Sequence, residues 1–206
     1  MANNVIVINN VPYIGCEDLY VYKVAEDTEE AYSAGEVVYK VPELVAVSYN
    51  VSATDTSFYA NNVKKITDTT YSPSASYTLS GDDATLEEFV FGKVKEGAAL
   101  KDNLTGAPEI GCFYAKTRAK GAWTITQILK ANASKADATV DTKAEGTTFQ
   151  TSVTNLNPLF SEHFKTYTRE FFSEESVFEG HTLAEVLDIL AKNPAEKFET
   201  WPSDEV

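Results

Sequence analysis

The two histidines, His163 and His181, and the two cysteines, Cys16 and Cys112, are the first residues to test for chemistry. A Cys–His nucleophile pair would require Cys112 beside one of the histidines, and no local motif brings them together. His163 lies among Phe160, Phe164 and Tyr167 in sequence, which reads as a packing histidine. His181 precedes a helix start and reads as a surface residue. Cys16 and Cys112 read as two separate thiols of a reducing compartment, with a disulfide between them as the lesser alternative. Carboxylates cluster at Asp82–Asp83, Glu87–Glu88 and Glu174–Glu175, and in the run Glu26, Asp27, Glu29, Glu30. A glycosidase needs two carboxyls facing each other across a sugar cleft. These acids instead fall at helix starts or in turn-like stretches, where solvated and capping roles are expected. Lys116, Arg118 and Lys120 alternate and form a tidy basic set, either a solvated strand face or a contact with an acidic patch on another subunit. Phosphate-binding glycine loops, paired Cys-x-x-Cys, His-Glu-x-x-His and calcium-loop spacings are absent from the sequence. The expectation is no catalytic residue, no metal site and no cofactor.

The chain has 206 residues, enough for one domain with a sizeable core. It carries 17 basic and 31 acidic residues, a net charge of −14. That balance opposes nucleic-acid binding, which depends on clustered Lys and Arg to neutralise phosphates. The N-terminus has a short apolar run and no basic start, so no signal peptide is expected. No apolar run reaches membrane length. The expected site of synthesis is the cytoplasm, with no membrane partner, and the three Asn-x-Ser/Thr triplets are then chance matches.

Alternation is the informative pattern. In "TYSPSASYTLSG", Tyr71, Pro73, Ala75, Tyr77 and Leu79 form one set, and Ser72, Ser74, Ser76, Thr78 and Ser80 the other. Strict alternation predicts a strand with an apolar face and a face of hydroxyls. In "LVAVSYNVSAT", Val45, Val47, Tyr49, Val51 and Ala53 oppose Ala46, Ser48, Asn50, Ser52 and Thr54. In "TTFQTSVTN", Thr148, Gln150, Ser152 and Thr154 share one side. All three polar faces are small and uncharged, unlike ordinary solvent faces with their Lys and Glu.

The remaining elements follow from simpler signals. Residues 19–25 read as a strand, 26–36 as an acidic turn stretch, and Pro42 as a break or an edge marker. Residues 55–69 read as a long loop. Thr85 and Glu88 have capping-box spacing; Leu86, Phe89 and Val90 share a face, and Gly92 suits the end of a short helix. Residues 95–111 read as another loop. Strands "CFYAKTR" and "AWTITQILK" join through Lys120–Gly121, and residues 131–146 read as a loop or hairpin tip. A terminal helix starts at the Thr182–Glu185 capping box, with Leu183, Val186, Leu187 and Leu190 as its stripe and Pro194 as its stop. The fold expected is mostly β (α+β): an antiparallel β-sandwich with a short flanking helix and a C-terminal helix. It forms one domain over 1–206, with 1–15 as an N-terminal arm. The tail, 194–206, is either loose or docked through Phe198 and Trp201.

The order of these features resembles the major tail protein, or tail-tube protein, of long non-contractile bacteriophage tails, over about residues 19–190. "LVAVSYNVSATDTSFYANN" is similar to that family's strand leading into an aromatic-Ala-Asp/Asn loop. "TYSPSASYTLSGDDATLEEFVFG" is similar to its alternating strand and short helix ending at Gly. "EIGCFYAKTRAKGAWTITQILKANASKADATVDTKAEGTTFQTSVTN" is similar to its Gly-led strand, meander and final Thr-rich strand.

The resemblance implies a tail-tube-like β-sandwich that assembles with itself into homohexameric rings stacked as a tube. Inner strands of six subunits would join around a lumen through which viral DNA passes without specific binding. Other tail proteins would sit at the tube ends. The protein would be assembled in the host cytoplasm and reside in the virion tail as a structural, non-enzymatic component. Ser48, Asn50, Ser52, Ser72, Ser74, Ser76 and Thr78 would face the lumen, with Tyr49, Val51, Tyr77 and Leu79 turned to the core. The two long segments, 55–69 and 131–146, would make subunit or ring contacts through Phe58, Tyr59, Asn61, Asn62, Lys64 and Lys65 and through Ser134, Lys135, Asp137, Asp141 and Lys143. The alternatives are the tube of a contractile tail, a bacteriocin or a secretion apparatus, and a β-sandwich carbohydrate- or receptor-binding module with Trp123 and tyrosines as its platform. An unrecognised hydrolase is the remote third reading.

Overall fold

The structure is a computed structural model and describes residues 11–41, 43–60, 63–103, 106–136 and 151–202. Ten strands and two helices order it: β1 (Tyr13–Asp27), β2 (Tyr32–Val41), β3 (Leu44–Ala60), β4 (Val63–Leu79), α1 (Ala84–Phe91), β5 (Val94–Glu96), β6 (Ala99–Lys101), β7 (Glu109–Arg118), β8 (Trp123–Lys135), β9 (Ser152–Pro158), β10 (Thr168–Phe172) and α2 (Leu183–Lys192). All strand pairings are antiparallel. The chain is mostly β with short helices, as the alternation predicts.

The main sheet runs β2-β1-β7-β8-β9-β4-β3, and β10 also pairs with β8. β8 divides it. Residues 124–128 of β8 pair with β10, and residues 131–135 pair with β9. Strands β9, β4 and β3 therefore leave the sheet at the far end of β8 and pack over its first part. One core cluster joins Leu19, Val21, Ile110 and Ile128 from the first layer to Ala75, Tyr77, Leu79 and Leu156 from the second. The sandwich is thus built from one continuous hydrogen-bonded sheet. α1 closes the cluster with Val90, Leu86 and Phe89. On the other face of the first layer, Phe113, Trp123, Ile125 and Leu129 pack against Val186, Leu187 and Leu190 of α2 and against Phe171, Phe178 and Phe198.

Helix ends follow local chemistry. α2 starts with the Thr182–Glu185 capping box as expected. α1 starts differently: its cap is Asp83, whose carboxylate accepts the N–H groups of Thr85 and Leu86, and not a Thr85–Glu88 box. The shorter Asp side chain one residue before the helix reaches those free donors directly. Gly92 ends α1 in the left-handed region, φ 64, as expected. Lys120 and Gly121 turn β7 into β8, both at positive φ.

Several expected loops are strands. Residues 55–60 and 63–69 belong to paired antiparallel strands in which Asp55 pairs with Thr69 and Thr56 with Asp68. The reason is the β-branched, period-2 content of that stretch, which satisfies a strand despite its polarity. Residues 131–135 extend β8, because β9 offers them a pairing edge. The expected loop at 95–111 contains β6, the last residues of β5 and the start of β7. β1 begins at Tyr13, inside the expected N-terminal arm. The tail is docked as far as it is described: Phe198 is buried, and the Trp201 ring stacks on His181 at 3.4 Å. His181 is accordingly half-buried beneath an indole.

A buried polar network fastens the first layer to the C-terminal segment. Gln127 Nε2 donates to Tyr22 Oη at 2.7 Å and to the Pro194 carbonyl at 2.8 Å. Its Oε1 accepts from Arg169 Nη2 at 2.6 Å. Tyr22 also meets the Tyr32 hydroxyl at 3.0 Å, and burial pushes its phenol up to about 12. The Tyr22 ring lies over Gly111, its cross-strand partner. A Cβ at Gly111 would fall 2.4 Å from Tyr22 Cζ. Gly111→Ala is expected to destabilise the fold by about 1–3 kcal/mol through displacement of that ring, read as a lower urea midpoint at constant slope.

Asp27 fixes the β1–β2 end. Its carboxylate pairs with Lys130 at 2.7 Å and accepts from Ser161 Oγ at 2.8 Å and from the His163 and Glu162 amides. Burial pushes this carboxyl up, but the ammonium and the hydrogen bonds outweigh it and hold it below the ordinary Asp value. Its contribution to stability is complete above the unfolded value of about 4 and disappears as pH falls through the lower folded value. Asp27→Asn should therefore be less stable than wild type at neutral pH, with the gap narrowing as the medium is acidified, measured by urea melts across a pH series.

Candidate functional site

The hydroxyl residues singled out in the sequence converge on one surface. The β3–β4 hairpin pairs Ser48 with Ser76, Asn50 with Ser74, Ser52 with Ser72, and Ala46 with Thr78. Directly opposed residues share a face, so all seven expected residues lie on the same side. Ser48 Oγ and Ser76 Oγ are 2.8 Å apart, and Ser52 Oγ donates to the Ser72 carbonyl at 3.1 Å. Ser48, Asn50, Ser52, Ser72 and Ser74 are exposed; Ser76 and Thr78 are half-buried.

The surface is wider than the alternation indicated. Ser76 pairs with Asn155 of β9, and Asn155 pairs with Ser134 of β8. A row Ser48–Ser76–Asn155–Ser134 therefore crosses four strands, and Asn157 and Asn132 pair beside it. No Lys, Arg, Asp or Glu occupies these paired positions from Thr54 and Thr70 to Ala46 and Thr78, or the positions they face on β9 and β8. Charge returns at the margins, at Asp68 on the outer hairpin and at Glu109 beside Asn132. Asn132, Asn155 and Asn157 do not stand out in the sequence because Asn is a weak strand former, yet each alternates with Ala or Leu.

The opposite side is the core. Tyr77 and Leu79 are buried as expected, Tyr49 packs partly against them, and burial pushes the Tyr77 phenol up to about 12. Val51 departs from expectation, being 44% exposed. β9 pairs with β4 only over residues 75–79, so the hairpin leaves the sandwich near Ser74 and projects as two strands. Val51 lies on that projecting part, as does Tyr71, 59% exposed. Ser152 and Thr154 depart from expectation as well, lying on the core-facing side of β9. Thr154 is buried opposite Tyr77, because Leu156 must enter the core and a strand alternates. The open face of β9 is Val153, Asn155 and Asn157 instead. Thr148 and Gln150 lie outside the described residues.

The expected contact residues separate. The backbones of Phe58, Tyr59, Lys64 and Lys65 lie at the outer end of the hairpin. Asn61, Asn62, Asp137, Asp141 and Lys143 lie outside the described residues. Ser134 belongs to the hydroxyl–amide surface. Lys135 is engaged within the chain, 2.9 Å from Asp82 and 2.7 Å from Glu87. Asp82 is held below the usual carboxylate range by a hydrogen bond from Ser152 and by Lys135.

The remaining chemical candidates are accounted for by their neighbours. Lys116 and Arg118 pair with Glu170 at 2.8 Å and Glu174 at 2.6 Å within the same chain. Glu29 meets Lys165 at 2.7 Å. Cys16 and Cys112 are separate thiols, and burial raises Cys112 to about 12. The His163 ring packs edge-on against Phe164. Trp123 is buried in the core and cannot serve as a sugar platform. Among the described residues no group of three metal-ligating side chains converges, and no helix is long and apolar enough to cross a membrane. The sequence matches no protein-family model and no curated protein.

The two faces of β4 predict a steep contrast between adjacent residues. Tyr77→Ala should cost about 3–5 kcal/mol, as for a large aromatic removed from a core. Ser76→Ala, next to it, should cost about 1 kcal/mol or less, the worth of one exposed hydroxyl pair. Thermal and urea unfolding of the two variants checks the register.

Proposed function

We propose that this protein is the major tail protein of a long non-contractile bacteriophage tail, and that it assembles with itself into stacked six-membered rings whose lumen conducts DNA. The observation that carries this reading is the uncharged hydroxyl–amide surface spanning β3, β4, β9 and β8, backed directly by the sandwich core. Such a surface holds water and gives passing phosphates no cation to grip. DNA carries one charge per roughly 1.7 Å of axis, so even a modest basic lining would bind it. The net charge of −14 on each copy adds repulsion wherever acids face inward.

A second observation supports self-assembly. The outer β3–β4 hairpin extends about 36 Å beyond Ser74 at the usual rise per residue, with Val51 and Tyr71 open to water. An isolated two-stranded hairpin is marginally stable in water. β3 is also an edge of the sheet, and exposed edges invite pairing. Neighbouring copies would cover both features, and a sheet closed across subunits has no free edge.

The test is assembly followed by transport. The purified chain should give rings or tubes with a central pore by negative-stain microscopy and sedimentation; a strictly monomeric species at high concentration sinks the reading. Ser74→Lys should still fold and assemble, because an exposed strand position tolerates substitution within about 0.5 kcal/mol. Particles bearing it should eject DNA slowly or incompletely, with relief at raised salt, where the Debye length shrinks. Ser74→Asn should be nearly silent. Normal ejection through verified Lys-bearing tubes would remove Ser74 from the DNA path.

A further inference from the structure

A groove of about 380 Å³ opens where the end of β2, the start of β3 and the N-terminus of α1 meet. That volume lies at the low end of the range of ligand pockets, ~300–1,000 Å³. Val41, Leu79 and Leu86 line it with apolar surface, and Glu43, Asp82 and Asp83 give it an acidic rim. Lys40 also borders it, with its ammonium paired to Asp18. Asp82 is paired with Lys135, and Asp83 is spent on the α1 cap. Glu43 meets only a neutral group in the described contacts, the Ser80 hydroxyl. The groove therefore suits a segment with branched apolar residues beside a cation.

The chain contains such a segment at the far end of the same hairpin. The first residues of β4 are Val63, Lys64, Lys65 and Ile66. Leu79, which lines the groove, ends that strand. The extended chain from Val63 to Leu79 spans about 50 Å at the usual rise. The paired β3–β4 ladder holds the arm extended, so a chain cannot reach its own groove with its own arm.

We propose that this groove receives the outer end of the β3–β4 hairpin, centred on Lys64 and Lys65, from a second copy of the chain. The inference rests on the self-assembly reading above and specifies which surfaces meet. A contact between two different patches is heterologous: it closes into a ring when the rotation permits and otherwise propagates as a stack or filament. Both outcomes serve a tube.

The test uses the full chain. Lys64→Glu with Lys65→Glu reverses the arm, and Glu43→Lys reverses the rim; circular dichroism establishes that each variant folds. Each reversal alone should raise the concentration needed for assembly by about tenfold or more, as like charges then meet. The two reversals combined in one chain should restore assembly. A probe independent of charge is an oxidative cross-link between Lys65→Cys and Thr85→Cys, the latter lining the groove. A ladder of linked copies should form only when both cysteines are present. Tubes indifferent to either reversal, a loss that the combined variant does not restore, or no ladder from assembled double-cysteine protein would each overturn this contact while leaving the assembly reading intact. A wild-type chain that never assembles would remove both.

Discussion

Tyr77 lies between Ser76 and Thr78, and its burial sets the register of four strands. A strand alternates, so placing Tyr77 in the core places both hydroxyl neighbours outside. Direct pairing then carries the choice across the sheet: Ser76 puts Ser48 and Asn155 on its side, and Asn155 puts Ser134 there. A slip of one residue would turn the aromatic and aliphatic set to water and the hydroxyls to the core. Because Tyr77, Leu79, Ala75 and Leu156 are all buried in one cluster, that slip is costly at several positions at once. The chemistry of the open surface is therefore guaranteed by the packing behind it.

The same economy governs charge. The ion pairs tie cations to carboxylates of the same chain: Lys116 to Glu170, Arg118 to Glu174, Lys130 to Asp27, Lys135 to Asp82 and Glu87. Pairs at the surface contribute little stability; the Lys130–Asp27 pair, with the Asp27 side chain 2% exposed, is the exception. Their positional effect is larger. They hold the basic side chains of β7 and β8 against acids at the end of β1, on and just after β10, and on and just before α1, away from the hydroxyl–amide rows. Lys135 shows the geometry best: it follows Ser134 in β8 but points to the α1 side, where Glu87 waits.

Alternation made the apolar and hydroxyl sets of β3 and β4 legible, and the α2 capping box and stripe were equally plain. Three features were not. The outer hairpin was hidden because Asp, Thr and Lys at 55–69 have loop-like polarity, while the information that makes them a strand lies in the partner they face. The side that β9 presents is not encoded in its own alternation; Thr154 shares the parity of Leu156, and Leu156 meets Ala75 in the core. The Gln127–Arg169 network joins residues distant in sequence through a carbonyl at Pro194, and no local pattern encodes it. Nonlocal pairing also made Lys116 and Arg118 look free when their acids lie over fifty residues away.

These elements converge on a division of labour within one hairpin. Its inner part is a sheet strand pair, held by β9 and the core, and its hydroxyl face can be rigid because Tyr77 and Leu79 anchor it. Its outer part has no third strand and no core among the described residues, only cross-strand pairs such as Asp55–Thr69, where Thr69 Oγ1 donates to the carboxylate at 2.6 Å. A domain that closed on itself would gain nothing from seventeen-residue strands that outrun their sheet. In the assembly proposed here the excess length has a purpose: the part that one copy cannot bury is the part that another copy covers, and the part that remains open is the part with no charge.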